Sequence, residues 1–293
     1  MLEIVNRSVE AGVHDEAYRA IVNFIWSAVG YLPLDVIESV ATKARVRADL
    51  AAPDAIGPYL ELSRASLLFV PAGRWREAEE LLAQVDDIRA RAATARLVWL
   101  GVTGGLAFRR GDLQAAKPLV EELCPLALAS GEAQRVLPMA CIALPWFFVT
   151  GDRKRLRSVT EQILSTFDAE WPSVLTTVPM ARALFAAGEM DLLRRMCESM
   201  QRTPSEAVKA RLETSLVAAE GLLALLEERP AEAVELLTNA VDRERALGHM
   251  YETACLEGDL ARALEAAGQD NTASEVRARS ASVLEPLGCV NSF

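Results

Sequence analysis

Histidine and lysine are scarce in this chain. Its 293 residues hold only His14 and His249, and lysine stands at 43, 117, 154 and 209 alone, so arginine carries most of the positive charge. With 31 basic against 41 acidic residues the net charge is −10, which leaves no basic excess to meet a phosphate backbone and excludes nucleic acid as a direct partner. His249 and Cys255 stand six residues apart, on different faces of one helix, so they do not form a nucleophile–base pair. The cysteines at 124, 141, 197, 255 and 289 lack CxxC spacing and no His, Cys or carboxylate cluster has ligand spacing, so neither metal nor cofactor is expected. Long apolar runs are missing too. The longest charge-free stretch, Val136–Gly151, is too short for a bilayer and carries Pro138 and Pro145. Met1–Asn6 lacks a basic start followed by an apolar run, so no signal peptide is expected and the thiols are read as reduced, in a cytoplasmic protein.

Alternating β-branched runs are absent as well, and apolar residues recur at spacings of three and four, which predicts an all-α chain. One pattern repeats: an apolar helix, a short turn usually holding glycine, then a helix opening with acidic or small residues. Taking the turn residues Gly73, Gly111, Gly151, Gly188, Glu228 and Gly268 as anchors gives intervals of 38, 40, 37, 40 and 40. A period near 39 marks stacked helix pairs. Glycine at an anchor takes the left-handed conformation that ends a helix, and Asp112 and Asp152 stand where a carboxylate caps the next one. Five residues after each anchor come Ala78, Ala116, Leu156, Leu193, Ala233 and Ala273. Seven before come Ser66, Gly104, Leu144, Ala181, Gly221 and Ala261, mostly small, as a close helix contact requires. Gly131 and Gly248 mark the far ends of hairpins, and Thr203–Glu206 and Thr272–Glu275 read as capping boxes. Residues 56–293 are read as one continuous repeat array. Residues 1–55 are N-terminal helices of uncertain register, with Gly12 and Ala17 fitting the turn pattern better than Gly30, and the chain as a piece of a larger protein.

The Gly-x-x-x-x-Ala turns and the small residue seven places earlier resemble the tetratricopeptide superfamily, although the period exceeds its usual 34. The longer pairs look like the sensor arrays of bacterial signal-transduction ATPases, the maltotriose-responsive transcription activator among them. The segments Arg245–Ala254, Asp259–Leu264 and Val283–Gly288 are similar to the ends of arrays on nucleotide-cyclase-associated regulators. There is no GxxxxGK[ST] loop, so no ATPase core is expected here. The resemblance implies a right-handed superhelix of antiparallel pairs, an elongated arc. It implies a non-catalytic sensor or interaction module binding a protein, peptide or small effector; a free-standing scaffold is the alternative.

In such arrays the first helices line the concave face at about 2, 3, 6 and 10 residues before the turn. Those offsets give Gly101, Gly105, Phe108 and Arg109, then Cys141, Pro145, Phe148 and Val149, then Val178, Arg182, Phe185 and Ala186. The expected groove has Phe108, Phe148 and Phe185 as walls, Cys141 and Pro145 along it, and Arg109 and Arg182 for an anionic group; the alternative is that a tightly wound superhelix buries these side chains as core. Pro138, Pro145 and Pro179 are expected to kink these helices. Gly101, Gly104 and Gly105 read as close helix packing rather than a phosphate loop. Trp26, Trp75, Trp99, Trp146 and Trp171 read as packing residues, and Glu79–Glu80 and Glu121–Glu122 as solvated faces.

Overall fold

The turns that punctuate the sequence are where the helices end. In the computed structural model, which describes residues 2–49, 57–85, 93–167, 177–203 and 205–292, all six anchors have positive φ, between 58° and 80°. The non-glycine among them is Glu228, where a Cβ in the left-handed region costs about 1–2 kcal/mol; Pro230, at the start of the next helix, has the φ that position needs.

The helices are α1 (Leu2–Glu10), α2 (His14–Ala28), α3 (Leu34–Asp49), α4 (Gly57–Arg64) continued by a π-helical turn (Ala65–Phe69), α5 (Trp75–Gln84), α6 (Ala93–Arg109), α7 (Leu113–Ser130) and α8 (Ala133–Val149). They continue with α9 (Arg153–Phe167), α10 (Val178–Ala187), α11 (Met190–Arg202), α12 (Glu206–Leu226), α13 (Pro230–Leu247), α14 (Met250–Ala266) and α15 (Asp270–Leu284). Among the described residues there is no strand. Even-numbered helices lie beside one another from α2 to α14, while α1 packs on α3 and α9 on α11 in a second layer. Each anchor therefore turns the chain from the even layer to the odd one. Gly30 does the same between α2 and α3, whereas Gly12 leads the opposite way. Gly30, not Gly12, continues the series, and the pairs run α2/α3, α4/α5 and onward to α14/α15.

Packing explains the small residues around each turn. All six residues five places after an anchor are completely buried. A Cβ on Gly104 would stand 3.1 Å from Leu119 Cβ, and one on Gly221 would stand 2.8 Å from Leu237 Cγ, so these helices touch backbone to side chain. Asp112 accepts from the Ala115 amide at 2.9 Å and Asp152 from the Arg155 amide at 3.0 Å, the two expected caps. Helices α7 and α13 end at left-handed Gly131 and Gly248.

Neither expected capping box forms. Helix α15 begins directly after the Gly268 turn, which places Thr272 inside its first turn instead of before it. At α12 the cap position falls to Ser205, whose side chain makes no cap bond, while Thr203 is buried with an unpartnered hydroxyl. Pro138 and Pro145 lie inside α8, but Pro179 opens α10, where its missing N–H costs nothing. Trp75, Trp99 and Trp146 are buried, as read; Trp171 and the boundary at residue 55 lie outside the described residues.

The last pair does not end an open arc. The Tyr251 amide at the start of α14 donates to the Pro71 carbonyl at 2.9 Å, and the Tyr251 ring stands 5.3 Å from that of Trp75. Beyond α15, the Val290 and Asn291 amides both donate to the Arg109 carbonyl, at 2.7 and 3.0 Å, and Asn291 Nδ2 donates to the Phe108 carbonyl. At the other end, Leu34 of α3 sits against Gly248. The accessible surface, 12802 Å², is close to the roughly 12,200 Å² of a compact monomer of this mass, which an elongated arc would exceed.

Candidate functional site

Seven pairs that come back on themselves leave space between the even helices. A cavity of about 530 Å³ lies there, lined from α2, α4 and its π-turn, α6, α8, α10 and α14, with Leu123 of α7. Most of its wall is apolar: Val22, Val70, Pro71, Leu97, Val98, Val102, Met139, Ile142 and Pro179. Arg19, Asn23 and Ser27, one exposed stripe on α2, line it where solvent reaches. Polar groups sit elsewhere: Tyr59, Thr94, Gln134 and Arg135 from α4, α6 and α8, and Arg109, Cys141 and Glu252 from α6, α8 and α14.

The glycines of α6 shape this wall. Gly101 and Gly105 lie eight and four residues before Arg109, on the same helical face. A Cβ on Gly101 would meet Ile142 Cδ1 at 3.3 Å, which is packing as read from the sequence. A Cβ on Gly105 would stand 2.8 Å from Arg109 Nη1. The missing side chain lets Arg109 fold back along its own helix into the cavity. Its Nε donates to Tyr251 Oη at 3.1 Å, and its guanidinium carbon lies 5.1 Å from the Tyr251 ring centre.

Burial governs protonation here. It pushes the Cys141 thiol up to about 12 despite nearby Arg109, so this sulfur stays neutral. Cys255 and Cys289 are raised for the same reason. Glu252 is raised above the ordinary carboxylate range by burial, with the Glu244 charge adding to it and His249 and Arg109 opposing; its Oε2 has no hydrogen-bond partner. His249 caps α14 without a side-chain cap bond; its Nδ1 lies 2.5 Å from Glu244 Oε2 and its Nε2 is unpartnered. Burial alone would lower His249, but the hydrogen bond and charge of Glu244, with the charge of Glu252, raise it instead.

The expected groove residues part company. Arg109 and Cys141 line the cavity. Phe108 is buried with its ring edge-on to Trp146, and Pro145 is buried beside it in sequence. Phe148 lies under Arg153, and Phe185, half-buried like Phe148, is also outside the cavity wall. Arg182 is turned to Asp259 of α14, Nε to Oδ2 2.5 Å, and Nη2 also donates to the Cys255 carbonyl at 3.2 Å. The strip read as an open groove is thus met at Arg182 and Arg109 by the chain's own α14. His249 and Cys255 do not pair: one holds Glu244 and the other lies near Arg182 and Tyr251. Among the acidic pairs, Glu79 bonds Arg110 and Glu122 bonds Arg96 on exposed faces.

Sequence reasoning missed the α2 contribution and the acid. Trp26, read as packing, lines the cavity with an indole N–H that has no partner. Its even-layer signal was the Gly30 turn. The cavity is also lined by the N-terminal halves of α6 and α8, ahead of the offsets carried over from the resemblance. No group of three or more potential metal ligands occurs among the described residues, and no helix there is long and apolar enough to cross a membrane. Compared with family profiles, curated proteins and solved structures, the chain matches none.

Proposed function

We propose that this chain is a non-catalytic binding module, a tetratricopeptide-like superhelix with a period near 39 residues that holds a small effector or short peptide between its first helices. The observation that carries this reading is the 530 Å³ cavity walled by helices from six of the seven pairs. Its size falls in the range of small-molecule sites, and its wall combines apolar surface with a few polar groups. On this reading the module is the sensor region of a cytoplasmic bacterial signalling or transcription regulator, and the output lies in other domains or partner chains. Buried neutral thiols and a histidine committed to Glu244 are poor material for catalysis, which supports a binding role.

A scaffold that assembles proteins without a small ligand is the second reading. It is favoured by exposed Ile4 on α1 and exposed Val36 and Val46 on α3, apolar side chains left on the odd layer. Thermal denaturation of the whole chain against metabolites and short peptides separates the two. A ligand at 100 times its Kd adds about 2.7 kcal/mol of stability. The sensor reading expects such a shift; no shift with any of them, together with a stoichiometric protein partner co-purifying, would favour the scaffold.

A further inference from the structure

The apolar wall of the cavity suits many ligands, and Arg109 narrows their chemistry. Its guanidinium is folded into a mostly apolar space, with one nitrogen given to Tyr251 Oη. No carboxylate among the described residues stands within ion-pair distance of it. A cation held in such a place with no carboxylate bonded to it, and only Glu252 across the same cavity, is a site for an anion, because the low local dielectric strengthens any charge that arrives. The edge carrying Nη1 and Nη2 offers the parallel donors that fit a carboxylate.

One guanidinium beside an acid favours a monoanion over a phosphate. Glu252 lines the same cavity with Oε2 unpartnered, and its charge, when present, would oppose a second negative charge. The other cations are placed for other work. Arg135 donates to Thr94 Oγ1 and pairs with Glu132, and Arg19 pairs with Glu16 on the exposed face of α2. The remaining wall, including Leu97, Val98, Val102 and Ile142, is hydrocarbon. Burying an apolar chain against it is favourable in proportion to the length buried.

We propose that this cavity binds an apolar-bodied monocarboxylate of the medium-chain fatty-acid class, its carboxylate on the Nη1–Nη2 edge of Arg109 and its chain along α6 and α8. Glu252 Oε2, unpartnered in the same cavity, is available to a hydrogen-bond donor carried next to the carboxylate. Gly105 is the positioning residue: with no Cβ, it leaves room for the guanidinium 2.8 Å from where one would be. The proposal rests on the cavity being the binding site.

The test is calorimetric titration of the full chain with octanoate and decanoate below micelle formation, beside octanol and octylammonium as neutral and cationic probes. The expected result is saturable binding of the carboxylates, at least tenfold weaker binding of octanol than of octanoate, and none of octylammonium. Arg109→Met should weaken the carboxylates at least tenfold and leave octanol unchanged. Because that change also removes the bond to Tyr251, Gly105→Ala is the second variant: it keeps the charge but displaces the guanidinium, and it should weaken carboxylate binding while the chain stays folded. Trp26 fluorescence should report occupancy and lose its response in Trp26→Phe. Equal affinity for octanol and octanoate, unchanged in both variants, would overturn the carboxylate assignment while leaving the cavity as a binding site. No binding of any probe, with peptides still shifting the melting temperature, would overturn the fatty-acid class and not the module reading.

Discussion

Arg182 on α10 and Asp259 on α14, 77 residues apart, form a buried ion pair with Nε 2.5 Å from Oδ2 and both side chains less than one-tenth exposed. The pair ties the seventh helix pair to the fifth from inside the molecule. Removing one member leaves an uncompensated buried charge, which costs about 3–5 kcal/mol, whereas replacing both with apolar residues of similar volume is often neutral. Asp259→Ala should therefore lower unfolding free energy in urea by about 3–5 kcal/mol, and the double variant Arg182→Met, Asp259→Leu should recover most of it. A loss below about 1 kcal/mol for Asp259→Ala would mean that α14 does not hold Arg182 in the interior.

Two helical glycines give opposite expectations for the same substitution. A Cβ on Gly221 of α12 would stand 2.8 Å from Leu237 Cγ and 3.3 Å from Leu236 Cβ, whereas one on Gly258 of α14 would meet only Ser280 Oγ at 3.8 Å. Helix propensity favours alanine at both by about 1 kcal/mol, but overpacking costs about 1–3 kcal/mol where there is no room. Gly258→Ala should raise the melting temperature and Gly221→Ala should lower it. A rise for both would show that α12 and α13 are not in close contact at Gly221.

Stability should fall as pH rises through the weakly acid range. His249 and Glu252 both bind protons more tightly folded than unfolded, the first against an ordinary value of 6.5 and the second against 4.5. Through these two groups the folded state binds more protons than the unfolded one. Their contribution to the slope of unfolding free energy with pH is therefore negative, starting near pH 4.5 and continuing past 6.5, above the range where the lowered carboxylates Glu77 and Glu227 act in the opposite sense. Burial sets the direction at Glu252, with Glu244 of α13 adding to it and His249 and Arg109 of α6 opposing, whereas at His249 the bond and charge of Glu244, with Glu252, outweigh burial. Denaturant titrations across pH should show Glu252→Gln flattening the lower part of the fall and His249→Gln the upper part. A stability that rises from pH 4.5 to 8 in the unaltered chain and is unaffected by either variant would contradict this arrangement.

The turns were legible because their chemistry is local. Left-handed glycine, the Asp112 and Asp152 caps and the buried Ala78 and Ala116 each depend on a few neighbouring residues. Glu228 was found only because its neighbours kept the interval, since its own residue type argues against positive φ. The misplaced features depend on distance along the chain. Thr272 lost its capping role because Gly268 starts the helix two residues earlier. Arg182 was read as facing an open groove because nothing near it in sequence announces Asp259. Arg109 was placed on the inner face correctly, but only the three-dimensional return of α14 brings Tyr251 and Glu252 to it. Trp26 packs against the core as its type suggests, but its place on the cavity wall was hidden because the Gly30 turn breaks the spacing that assigns helices to the inner layer.

Helix α14 docks against the turn after α4 and completes the cavity wall, and one backbone amide reports that contact alone. Tyr251 lies in the first turn of α14, where an N–H has no partner within its own helix, and it donates to the Pro71 carbonyl at 2.9 Å. Amide hydrogen exchange measured by NMR should find the Tyr251 amide protected to the same degree as amides in the middle of α14. Exchange of Tyr251 at the rate of an unstructured peptide, with the rest of α14 protected, would show an open array and contradict the closed cavity.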